Sequence, residues 1–139
     1  MNGYHWHNLA QIRAEQTVRD CRCDPQAAFE AFDTALRINP NEVFLLLDAA
    51  RFALQMHDAA RAHGYIRVGL EGYPNFAPLV AERAYLALLE NQPDDALAWF
   101  DRAIAADWVS DLESKNRAIA VKHEVIRRLR AIHLPAASD

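Results

Sequence analysis

A chain of 139 residues with 52% hydrophobic and 24% charged side chains has enough apolar material for one ordinary globular core, which argues against a disordered or fibrous protein. Its net charge of −4 argues against general nucleic-acid binding, which needs a cationic face to displace counterions, and favours basic or polar protein partners. Cys21 and Cys23 are too few and too close for a disulfide framework, and no apolar stretch reaches the roughly 18 to 20 residues of a membrane span.

In chain order, residues 1–8 form an N-terminal extension with neither a cationic leader nor a small-residue cleavage site, so a cytoplasmic protein is expected. Helices are predicted at about 5–22, 25–38, 42–56, 59–72, 76–91, 93–106 and 110–132, with no alternating strand-like run between them. The 25–38 segment shows why. Asp24 can accept from the free amides of a first turn, and Pro25 loses nothing at the first helical position. Ala28, Phe29, Phe32, Ala35, Leu36 and Ile38 then recur mostly three and four apart, which makes one broad apolar side that needs a partner. Asn39-Pro40-Asn41 ends the helix, because the residue before a proline is pushed out of helical geometry. The last helix opens on a capping box from Ser110 to Glu113 and is followed by a frayed tail, 134–139.

The segments repeat with a period of 34 and no gaps. Ala28, Phe32, Ala35, Leu36 and Pro40 become Ala62, Ile66, Gly69, Leu70 and Pro74, and then Ala96, Phe100, Ala103, Ile104 and Trp108. In the preceding halves Ile12, Leu46 and Val80 share one column, and Gln16, Ala50 and Ala84 another, whose next step is Ala118. Two helices can approach closely only where side chains are small, so Ala50 should face Ala62, and Ala84 should face Ala96. Each hairpin leaves an apolar face that the next hairpin can cover, which predicts an all-α, right-handed curved solenoid.

These residues and this spacing resemble the tetratricopeptide repeat family, over about Leu9 to Trp108 and a following helix. The resemblance implies a degenerate first repeat at 9–42, repeats at 43–76 and 77–110, and a capping helix at 111–133. It is a resemblance in spacing more than in identity, since Gln16, Arg19 and Trp108 depart from the family's pattern. It also implies a concave groove built from the first helix of each pair, lined by Arg13, Thr17, Phe44, Leu47, Asp48, Arg51, Gln55, Ala81, Glu82, Tyr85 and Leu89, with Lys115 and Lys122 added by the cap. Such a groove takes a partner's helix or extended peptide, held by aromatic and aliphatic anchors and oriented by charges. Arg51 and Tyr85 are expected to be surface anchors, whose loss should cost binding rather than stability. The carboxylate clamp of one subclass of the family is not expected, because Thr17 and acidic Asp48 stand where asparagines would.

The other signals are weaker. His5 with His7 and Cys21 with Cys23 are the only metal-like pairs, and single-residue spacings are not those of the common zinc modules, so no metal or other cofactor is expected. Residues 111–139 carry six basic and four acidic side chains and residues 1–110 nine and fifteen; the cationic end more simply complements a helix dipole. No phosphate loop, no His-Glu-x-x-His and no serine or cysteine with a paired base is present, so no enzyme is expected. The expected function is a non-enzymatic scaffold or adaptor for a partner protein or peptide. The alternatives are a secretion or assembly chaperone holding a client segment, and a domain that self-associates as a homo-oligomer or docks within a larger chain through its first unit.

Overall fold

A computed structural model of the chain describes residues 12, 24–106, 108 and 111–133. Among them are six long helices and no strand: α1 (Pro25–Ile38), α2 (Val43–Gln55), α3 (Ala59–Gly72), α4 (Ala77–Leu89), α5 (Pro93–Ala105) and α6 (Leu112–His133). Of the predicted helix at 5–22 only Ile12 is described; Arg13, Thr17 and both metal-like pairs lie outside the described residues, as do the tail and Ser110. The chain divides into two compact units, residues 1–74 and 75–139.

In the first unit α2 packs along α3 and also meets α1. Asp24 and Asp58 start α1 and α3 by the same chemistry: a side-chain oxygen accepts from the amide of Gln26 at 2.9 Å and of Arg61 at 3.1 Å. Phe52 of α2 meets Phe29 and Phe32 of α1, at ring centroid distances of 4.9 and 6.0 Å. Ala28, Ala50, Ala53 and Ala62 have no exposed surface, as close helix crossings require.

In the second unit α5 packs along α4, and α6 packs mainly on α5. Ala84, Ala87, Ala96, Ala103 and Ala118 are fully buried around Phe100. Trp108, which stands where the earlier units have proline, is buried and donates its indole N–H to the carbonyl of Ala103 at 2.8 Å. That carbonyl also accepts from the amide of Ala106 at 3.2 Å, so the indole adds a second bond at the helix end that proline could not make. Asp111 caps α6 by accepting from the amide of Ser114 at 3.1 Å, one residue after the serine that the sequence suggests for that role.

The 34-residue period is visible in the backbone. α1, α3 and α5 begin at residues 25, 59 and 93, and α2 and α4 span 43–55 and 77–89. His57 and Asn91 both adopt the left-handed conformation, with φ of 58° and 59°. At each turn two hydrogen bonds close the helix end: the amides of His57 and Asp58 donate to Leu54 and Ala53, and those of Asn91 and Gln92 to Leu88 and Ala87.

Candidate functional site

In the first unit, Phe44, Leu47, Asp48, Arg51 and Gln55 are spaced by three and four along α2 and so share one side of that helix. Glu42 starts the helix by accepting from the amide of Phe44 at 3.0 Å. Phe44 is 59% exposed, one of several large apolar side chains left to solvent among the described residues. Asp48 and Arg51 are half-buried and Gln55 is exposed, whereas Leu47 is only 5% exposed and has almost no surface to offer. The opposite side of α2, with Leu45, Leu46, Ala49 and Phe52, is core.

In the second unit, Ala81 and Glu82 of α4 are buried, Glu82 at 7% exposure, which leaves little of either for a partner to touch. Tyr85 and Leu89 are half-buried. The ring of Tyr85 meets fully buried Phe100 edge-on, with centroids 5.3 Å apart, so its removal would cost packing as well as surface. That differs from the expectation of a pure surface anchor. Lys122 forms an ion pair with Asp101 across α5 and α6, and Lys115 is half-buried. Arg13 and Thr17 lie outside the described residues.

The sequence reading did not single out a network joining α1 to α3 within the first unit. The Tyr65 hydroxyl donates to Asp33 Oδ1 at 2.7 Å. The Arg61 guanidinium stacks over the Phe29 ring at 4.1 Å, donates to Gln26 Oε1 at 2.9 Å, and lies 3.3 Å from Asp58 and 3.8 Å from Asp33. Burial, reinforced by the hydrogen bond to the Asp33 carboxylate and its charge, raises the Tyr65 pKa well above the usual phenol value, with Arg61 opposing. Beside this network lies a cleft of about 480 Å³ with an apolar lining of Leu36, Pro40, Leu46 and Val68. Asp33, Arg61, Tyr65 and Arg67 supply its polar lining, and Gly64 lines it too. A glycine in mid-helix was the available signal, since nothing in the repeat calls for one there.

The second unit has a different arrangement. The guanidinium groups of Arg83 and Arg102 lie 5.2 and 5.0 Å from the Trp99 ring centre. Nη1 of Arg83 is buried without a hydrogen-bond partner, so the indole π-face is the compensation its charge receives. On α6, Arg127 and Arg128 both hold Glu124, whose pKa is lowered by these hydrogen bonds. Among the described residues no cluster of three or more His, Cys, Asp or Glu side chains could hold a metal ion, and no helix is long and apolar enough to cross a membrane.

Neither a family model, nor a curated protein, nor a solved structure matches the chain.

Proposed function

We propose that this protein is a tetratricopeptide-type helical-repeat scaffold, non-enzymatic and cytoplasmic, that binds a partner peptide or helix along the first helices of its hairpins. Helices of nearly equal length recurring every 34 residues, with an aspartate cap on both α1 and α3 and the same turn after α2 and α4, support the repeat assignment. The observation that carries the binding reading is the outer side of α2. There an exposed Phe44 stands in line with Asp48, Arg51 and Gln55, on a helix whose opposite side is core. An aromatic anchor beside charges of both signs is the composition of an interface centre with orienting groups. Within the groove set, Phe44, Asp48, Arg51 and Gln55 are the residues with both surface and shared direction.

The test is capture of a partner from cell lysate by the whole chain, identified by mass spectrometry and repeated with Phe44→Ala combined with Arg51→Glu. Capture should fall at least about tenfold, as expected when an aromatic and an Arg hot spot are lost together. The circular dichroism spectrum and melting temperature should be nearly unchanged, because neither substitution empties the core. Undiminished capture of the same partner by the double variant would refute this placement.

A further inference from the structure

We propose that the cleft between α1 and α3 is a second docking site, which takes an aliphatic side chain of a peptide whose next residue is basic. It uses the side of the first unit away from the proposed α2 face: Leu46, in its lining, lies about half a turn around α2 from Phe44, Asp48 and Arg51. The proposal therefore stands or falls separately from the scaffold reading.

Three observations carry it. The first is Gly64. Glycine inside a helix lowers its stability relative to alanine, yet a Cβ built at Gly64 meets no atom within 4 Å. Packing does not require the glycine and helix formation disfavours it. What its missing side chain provides is open space in the cleft lining, where another backbone can come close. Gly72, the last residue of α3, also faces open space, but it does not line the cleft.

The second observation is the apolar lining. Leu36, Pro40, Leu46 and Val68 give a cleft with an apolar lining that is open to solvent and has room for more than one side chain. An open cleft covers only one side of its occupant, whereas a free small molecule is usually enclosed over most of its surface. A peptide that anchors one side chain here and gains the rest of its contacts along the surface suits this shape better.

The third observation is charge. Arg61 is engaged by Gln26, Asp58 and Asp33, and Arg67 is paired with Glu71 of its own helix at 3.3 Å. Asp33 faces Arg61 at 3.8 Å, yet its side chain is 53% exposed, and a carboxylate can accept about four hydrogen bonds where Tyr65 supplies one. The polar lining thus offers a held carboxylate with spare acceptor capacity. An ammonium or guanidinium group fits it, and an acidic group would have to compete with Glu71 for Arg67.

The experiment is an NMR titration of the isotope-labelled whole chain with two probes, acetyl-Leu-Arg-amide and acetyl-Leu-Glu-amide. The Leu-Arg probe should shift the amides of Gly64 and Val68 and saturate at a dissociation constant on the order of millimolar, as one anchor and one charge pair allow. The Leu-Glu probe should bind at least about fivefold more weakly, the discrimination expected of one charge pair. Asp33→Asn keeps an acceptor for Tyr65 and should remove that discrimination. Gly64→Leu should obstruct the cleft and abolish saturable shifts, while Gly64→Ala should raise the melting temperature. If Gly64→Leu does not fold, Asp33→Asn decides. The proposal is overturned by equal binding of the two probes, by unchanged discrimination in Asp33→Asn, by saturable shifts persisting in a folded Gly64→Leu, or by shifts centred on Phe44 and Arg51 instead. Cleft shifts that depend on protein concentration without any probe would assign the cleft to a second copy of the chain, and would overturn it equally.

Discussion

Tyr65 shows how much one side chain can settle. Its ring is nearly buried, its hydroxyl holds Asp33, and Asp33 in turn lies beside the guanidinium that stacks on Phe29, so α1 and α3 are joined through three linked contacts. Tyr65→Phe keeps the ring and deletes the hydrogen bond, and should cost about 1 kcal/mol in chemical denaturation. It should also change the response to alkali. The folded state raises the Tyr65 pKa above the 10.0 of an ordinary phenol. The contribution is therefore complete below that ordinary value and is lost as pH rises through the raised one. Between about pH 8 and pH 11 the wild-type melting temperature should fall further than that of Tyr65→Phe. Equal falls would mean that the hydroxyl gains nothing from its burial beside Asp33.

The helices owe their lengths to their ends. α2 and α4 each stop where one residue turns left-handed and lets two amides reach back to the last carbonyls, and the stopping residues are His57 and Asn91. Asparagine tolerates that conformation better than histidine does, and glycine tolerates it best. His57→Gly should therefore stabilise the first unit by up to about 1 kcal/mol, and Asn91→Gly the second by less. Calorimetric melting of the two variants checks the order, and a destabilised His57→Gly would show that the imidazole has a packing role. The helix register was readable from the sequence because caps, apolar spacing and small-residue columns are local patterns. The predicted spans 25–38 and 59–72 are those observed, and the other four described helices differ from prediction by two residues or fewer at an end. Asp111 caps α6, one residue beyond the expected Ser110, which lies outside the described residues; either oxygen chemistry can satisfy a first turn, and spacing alone does not choose between neighbours.

In each unit the described helices bury fully covered alanines together with large side chains, Phe32 and Ile66 in the first and Phe100 in the second. Alanines so covered have no spare volume beside them. Ala62→Leu in the first unit and Ala96→Leu in the second should each destabilise by roughly 1 to 3 kcal/mol through overpacking, whereas Ala60→Leu, at an exposed place on the same helix as Ala62, should stay within about 0.5 kcal/mol. Urea denaturation of the three variants is sufficient, and a mild Ala62→Leu would mean that α2 and α3 can move apart freely.

Much of the proposed binding surface was harder to read. The period places Phe44, Leu47, Asp48 and Arg51 on one side of α2, but nothing local says that Phe44 projects while Leu47 is buried. The same holds for Ala81 and Glu82, which are covered, and for Tyr85, whose ring is shared with Phe100. The helical class, the spacing of the helices and the burial of the small-residue columns were already fixed in the order of the residues, because each follows from side-chain volume and hydrogen bonding over a few neighbours. Which side chains are left to solvent, and the meeting of Asp33 with Tyr65 or Gln26 with Arg61 some three dozen positions away, were settled when the helices packed, because exposure and long-range polar pairing depend on distances that no local pattern contains.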